Sequence, residues 1–440
     1  MYTACSPNIE GLWAPSVHAN CNHNEVSALL KRSLAPTPLA SPSERVPVLR
    51  VFRHLRSICG RYSGVQWSHL ETALSYSGSL RRRYIDAERS LRVDGPVTVR
   101  DSILGAFLKA EKFGLAKYGK PRMIFPRSPR FNLALASYLK PFEHWLWGYL
   151  TARRVFNGSP TRVVAKGLNA TQRANLIRRK MSDLVDCVVF EVDGSAFEAH
   201  VDVWQLEQEH ACYSAAFSGA PELMRLLARQ LVNEGTTPGG VRFSRAGGRA
   251  SGDFNTGMGN TLIMLAVVVA VLKHINIKFD VLVDGDNALV FMSQCDSARV
   301  LGCFGDLALS FSGHEMVLER PVTVLEHVRF GQSAPLELSK GRFTMVRDWR
   351  KVCSQMTSNH AHLNVPKFVR PYLKGVAQCE LALNSGVPVI QAFANRLLTL
   401  TEDAKTVGDQ FYRDYEVLGV RVSCRDRSVF KEPTIEARQS

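Results

Sequence analysis

Two apolar runs, 279–283 and 288–292, enclose Asp284, Gly285, Asp286 and Asn287. Asp-Gly between such runs directs a tight hairpin turn, because glycine adopts positive φ without steric cost. A chain carrying it must pair the two runs as adjacent antiparallel strands, with carboxylates at the tip. An isolated Asp-Gly-Asp is most often a solvated turn. Here two acidic and amide-rich segments upstream, at 193–198 and 251–260, favour a site for divalent cations.

Charge is localised. The 440 residues carry a net +15, yet the segment from Lys109 to Lys180 holds 16 basic residues against only Glu111 and Glu143. A basic surface so concentrated points to a polyanionic partner, since each neutralised phosphate releases counterions and adds sequence-independent affinity. At 45% hydrophobic the chain has material for a large core, so disorder is not the default expectation. The ten cysteines include no Cys-x-x-Cys, so reduced structural thiols are expected. No secretory signal is read at the N-terminus, and a cytosolic setting is expected by default. The apolar stretch 261–272 falls short of the roughly 20 residues that cross a bilayer and reads as a buried helix.

Along the chain, residues 1–45 lack periodicity and read as an irregular arm. Helical spacing fills 48–91, and 97–112 reads as a further helix. Pro121, Pro126 and Pro129 make 119–130 an extended basic loop. Helix returns at 131–149, and 163–180 combines a turn with a basic helix. The alternating, β-branched run 185–192 reads as a strand delivering Asp193 at its end. Helix follows at 203–217. The Gly- and Arg-rich 236–252 is expected to be a flexible loop, and 336–440 to be largely helical. The order of elements predicts an α+β fold.

Three segments in order, Asp193-Gly-Ser-Ala-Phe-Glu198, Ser251-Gly-Asp-Phe-Asn-Thr256 with Asn260, and Asp284-Gly-Asp-Asn287, resemble motifs A, B and C of viral RNA-directed RNA polymerases. The likeness is greatest to tombusvirus-like enzymes. It extends to Phe107-Leu-Lys-Ala-Glu-Lys112, to the loop from Pro121 to Arg130, to Val164-Ala-Lys-Gly-Leu-Asn-Ala170 and to Leu206-Glu-Gln-Glu-His-Ala-Cys-Tyr213. Gly-Asp-Asn in motif C, in place of the usual Gly-Asp-Asp, also resembles fungal viruses of the ambiguivirus kind. The resemblance implies a right-hand polymerase: an irregular arm at 1–45, fingers at 46–184, an antiparallel palm at 185–335 with a fingers insertion near 220–250, and a helical thumb at 336–440. It implies replication of a positive-strand RNA virus genome from ribonucleoside triphosphates, with single-stranded template and nascent RNA as partners and no DNA. A companion viral replication protein is expected, with work in the host cytoplasm at membrane-associated complexes reached through partners.

The same resemblance implies the roles of single residues. Asp193, Asp286 and Asn287 would be catalytic and hold two Mg²⁺ or Mn²⁺ ions, for which oxygen ligands on different strands suffice. Asn287 offers a neutral oxygen where most relatives have a carboxylate, which would shift preference towards manganese. Lys112, Lys120, Arg122, Glu198, Ser251, Gly252, Asp253, Thr256 and Asn260 would bind the nucleotide, with Glu198 and Asn260 sensing its 2′-hydroxyl. Lys109, Lys117, Arg127, Arg130 and Phe330 would meet RNA. The motif D lysine has no clean counterpart, leaving His314 and Arg320 as candidates to protonate pyrophosphate. The rival readings are a catalytically silent RNA-binding relative, motivated by Asn287 and Glu198, and a reverse transcriptase.

Overall fold

The computed structural model describes residues 1–4, 9–114, 119–360, 363–408, 411, 412 and 415. Its centre is a four-stranded antiparallel sheet ordered Met316–Leu318, Cys187–Gly194, Asn287–Ser293 and Phe279–Asp284. The expected hairpin forms, with Asp284 opposite Asn287 and Gly285 at φ +65°. Both faces of the sheet are covered, which explains why its strands read as nearly unbroken apolar runs. Val188, Phe190, Val192, Val281, Val283, Ala288 and Val290 face the main helical core. Val189, Leu282, Leu289 and Phe291 face a second cluster with Ala174 and Ile177 of helix Ala170–Ser182, Phe330 and Met345. Side chains alternate along Cys187–Gly194, so the positions after Val189 on this second face are Glu191 and Asp193. Glu191 is half-buried and Asp193 is exposed, so the sheet opens to solvent where that second layer ends.

Helix Thr256–Ile275 runs through the main core and is buried from Met258 to Leu272. Among the described residues it alone is long and apolar enough to cross a membrane, but 89% of its apolar window is buried inside the protein. A separate C-terminal cluster joins Leu338 and Val352 to helices Pro366–Asn384 and Pro388–Leu400.

Three expectations fail locally. Residues 1–45 are not simply irregular: Tyr2–Thr3 pairs with Ser358–Asn359, and helix Asn22–Ala28 continues into a π-turn, Leu29–Ser33. Ala28 and Leu29 are buried against Leu104, Met123, Phe125 and Ala250, anchorage that so short a segment does not advertise by periodicity. The helix expected at 97–112 is a 3₁₀ turn, Val99–Ser102, and two short strands, Leu104–Gly105 and Phe107–Leu108. Pairing decides this, parallel to Val232–Thr236 for the first strand and antiparallel to Met123–Ile124 for the second. The flexible loop expected at 236–252 contains strand Arg242–Ala246, paired antiparallel with Val232–Thr236. The inward positions of Val232–Thr236 are Asn233 and Gly235, so no hydrophobic alternation marks the strand.

Candidate active site

The hairpin tip is held from two sides. Gly285 N–H donates to Thr261 Oγ1 at 2.9 Å, fixing the turn to the central helix. Gly194 N–H donates to the Asp286 carbonyl at 3.2 Å, and Asp193 lies opposite Asn287 in the strand register. Thus residues 93 positions apart in sequence come together: Asp193 on its strand lies beside Asp286 in the hairpin turn, one residue before its register partner Asn287. Asn287 turns its Nδ2 towards Asp286 Oδ1 at 3.4 Å, which leaves its amide oxygen uncommitted to that carboxylate. Asp284 is spent elsewhere, on Lys166 at 3.2 Å and Arg173 at 2.8 Å.

The remaining carboxylates repel one another. Burial, then Glu198 and Asp193, push the Asp286 carboxyl up to about 6. Desolvation also raises Asp193, against the pull of Arg122 and Arg32. Carboxylates crowded this way are relieved by a cation, and their oxygens suit a hard divalent ion. Among the described residues no three His, Cys, Asp or Glu side chains cluster so as to hold a metal alone. That donor set fits an ion such as magnesium, which retains waters and shares phosphate oxygens with a substrate.

A basic wall faces these acids. A cleft bounded by the 104–125 strands, the 196–199 turn and the 245–251 segment is lined by Arg32, Arg122, Glu198, Arg245, Arg249 and Ser251 among others. Arg122 bonds Glu111 at 3.3 Å, and Lys109 lies 3.4 Å from the same carboxylate. Lys120 Nζ donates to the Lys31 carbonyl at 3.1 Å, tying the basic loop to the π-turn, and Lys112 Nζ donates to the Gln355 carbonyl at 3.0 Å. Arg32 was missed by sequence reasoning, since nothing marked it within an apparently irregular segment. Burial and the neighbouring Arg122 lower its pKa, against the opposing pull of Glu198, Glu111 and Asp286.

The 249–256 loop packs directly on the basic loop. Phe125 N–H donates to the Ser251 carbonyl at 3.0 Å. A Cβ on Gly252 would lie 2.7 Å from Pro126 N and 2.8 Å from the Phe125 carbonyl carbon, so only glycine allows this approach. The Thr256 hydroxyl is used internally, donating to the carbonyls of Ala250 at 3.0 Å and Asp253 at 2.9 Å. Asn260, one turn on, is buried and accepts from Arg249 Nε at 3.1 Å.

Several expected contact residues are placed otherwise. Arg127 is 3% exposed and Asp253 6%, and they pair at 3.0 Å. Arg127 also bonds the Ser102 carbonyl and Asn233, and Gln230 donates to Asp253 at 2.8 Å. This pair is an internal strut, so Arg127 does not face RNA and Asp253 does not reach the nucleotide. Arg130 bonds Asp101 at 3.3 Å, Ser90 Oγ at 2.6 Å and the carbonyls of Gly95 and Pro96. Phe330 is 1% exposed beneath the Arg173 guanidinium, a core position with no surface for RNA. His314 stacks on Phe197 at 4.3 Å, and burial drives its pKa down to about 3, so it is not a general acid near neutrality. Lys117 lies outside the described residues.

Residues 16–440 match the family described as "Viral RNA dependent RNA polymerase". The chain is 32% identical over 363 residues to the RNA-directed RNA polymerase of Tobacco necrosis virus (strain A), covering 80% of this chain and 49% of that protein. It is 33% identical over 369 residues to the RNA-directed RNA polymerase of Carnation mottle virus, covering 82% of this chain and 46% of that one. For Cymbidium ringspot virus the figures are 31% over 398 residues, 86% and 47%. The chain spans about half the length of the curated relatives it matches. With a match across nearly its whole length and carboxylates meeting where motifs A and C were read, the chain belongs to the viral RNA-dependent RNA polymerase family.

Proposed function

We propose that this chain is an RNA-directed RNA polymerase that copies a positive-strand RNA virus genome from ribonucleoside triphosphates. The observation that carries the reading is the meeting of Asp193, on its strand, with Asp286, in the hairpin turn, within electrostatic reach of Arg122 and Arg32. The architecture in this reading is a right hand, with fingers at 46–184, palm at 185–335 and thumb at 336–440. The segment before residue 46 is then more than an arm, since it lends Arg32 to the cleft.

Asp193 and Asp286, with the Asn287 amide oxygen, would hold two Mg²⁺ or Mn²⁺ ions. When bound, these ions supply positive charge to the attacking 3′-hydroxyl and to the triphosphate. Arg122 and Arg32 add charge from the opposite wall, with Lys109 and Lys120 further out along the same basic surface. Ser251 and Gly252, fixed against the 125–126 backbone, set the floor on which template and nucleotide meet. Glu198 and Asn260 read the 2′-hydroxyl. A companion viral replication protein would bring the chain to membrane-associated complexes in the host cytoplasm.

The test is RNA-templated incorporation of labelled NTPs by the purified chain with Mg²⁺ or Mn²⁺. Asp286→Ala should abolish synthesis, and Asn287→Asp should shift the metal preference towards Mg²⁺. RNA binding with no metal-dependent incorporation, even after Asn287→Asp, would refute the reading in favour of a silent relative.

A further inference from the structure

Arg249 is 5% exposed and fully committed. Its Nε donates to Asn260 Oδ1 at 3.1 Å, and its terminal nitrogens both reach the Glu209 carboxylate, one of them at 3.3 Å. Glu209 is fully buried and is further fixed by the Tyr213 hydroxyl at 2.7 Å and Asn255 Nδ2 at 2.8 Å. Gly259 makes room for the pair, since a Cβ there would collide with both the guanidinium and the carboxylate. The backbone N–H of Arg249 also donates to the Glu198 carbonyl at 2.8 Å. One residue therefore ties down both members of the proposed 2′-hydroxyl pair.

The chemistry of arginine fixes the orientation of the amide. A guanidinium has donors and no acceptor, so the Asn260 atom facing it is the carbonyl oxygen, and a flipped amide would set N–H against N–H. Asn260 is left with only its Nδ2 donors to offer on the side away from Arg249. We infer that Arg249, clamped by Glu209, is a positioning residue that locks Asn260 as a hydrogen-bond donor, so that the site selects nucleotides presenting an acceptor oxygen at the 2′ position. A 2′-deoxynucleotide lacks that acceptor and leaves buried donors unpaired, the costly kind of mismatch. The inference rests on the polymerase reading above.

The experiment compares kcat/KM for a ribonucleotide and its 2′-deoxy counterpart in the full chain and two variants. Asn260→Asp keeps an oxygen towards Arg249 but removes the amide donor, and thermal unfolding establishes that each variant is folded before its kinetics are read. Arg249→Lys replaces the fork with a single ammonium that does not span Glu209 and Asn260 together. Ribose preference, the ratio of the two kcat/KM values, should fall about tenfold in each, the factor set by one hydrogen bond. Should Arg249→Lys fail to fold, Glu209→Gln, which loosens the clamp on Arg249, takes its place beside Asn260→Asp. Wild-type preference in the folded variants, or equal losses for both sugars, would overturn the inference. Absence of ribonucleotide incorporation by the wild-type chain would instead overturn the polymerase reading beneath it.

Discussion

Replacing Arg127 with methionine separates a structural role from an RNA contact. The side chains of Arg127 and Asp253 are 1% and 2% exposed, and methionine keeps the aliphatic stem while stranding the carboxylate. Removing one partner of a buried ion pair costs about 3–5 kcal/mol, because the remaining charge has lost its compensation. Burial already raises the Asp253 pKa, and Arg127 is the first influence opposing that rise. With an unfolding entropy of about 2.1 cal/mol/K per residue, 440 residues unfolding together give roughly 0.9 kcal/mol/K, so Tm should fall by about 3–5 °C. Differential scanning calorimetry measures this, and Arg127→Met with Asp253→Asn should recover most of the loss. The second assay is the slope of log RNA affinity against log salt, which drops by about 0.7 for each lost contact to a single-stranded phosphate. Arg127→Met should leave that slope unchanged, whereas Lys109→Met should lower it. A Tm loss below about 1 °C together with a reduced slope would refute the internal-strut assignment and return Arg127 to the RNA surface.

His314 gives a test in pH. Its folded pKa, driven down to about 3, lies below the ordinary value near 6.5, so the unfolded chain binds a proton there that the folded chain refuses. Stability therefore falls as pH drops below about 6.5, by up to about 1.4 kcal/mol per unit. Denaturant midpoints from pH 7 to 4.5 should fall less steeply in His314→Gln than in wild type. Its pH–rate profile between 6 and 8 should match that of wild type; a lost basic limb would restore the general-acid role. Gly252→Ala places a Cβ less than 3 Å from the 125–126 backbone, so the two loops must part. Nucleotide KM should rise about tenfold with a stability loss of about 1–3 kcal/mol, and an unchanged KM would show that the loop contact does not shape the site.

The hairpin, the strand ending at Asp193 and the buried helix after Asn255 were legible because each is encoded locally, by alternation, by Asp-Gly or by an unbroken apolar run. The pairing of Asp193 with the hairpin was legible only through motif order, since no local signal spans that separation. Charge misled at Arg127 and Arg130, and the resemblance misled at Phe330. A sequence reports that arginine is present, whereas burial depends on whether a distant acid such as Asp253 or Asp101 arrives beside it. Arg173 conceals Phe330 in the same way. Val232–Thr236 escaped notice because its inward side chains are an amide and a glycine, and Arg249 because nothing distinguishes it from Arg242 and Arg245 nearby.

The pairing of Tyr2–Thr3 with Ser358–Asn359 has a consequence in time. A ribosome adding about 5–20 residues per second exposes the partner strand roughly 20–70 s after the first. Until then this edge of the nascent chain has no native mate. The Tyr2–Thr3 strand pairs only after the sheet bearing Asp193 and Asp286 has had its full sequence available, and closing so long a loop is slow in its own right. Pulse-labelled hydrogen exchange during synthesis should therefore find the amides of Tyr2 and Thr3 protected only after those of the 279–293 hairpin.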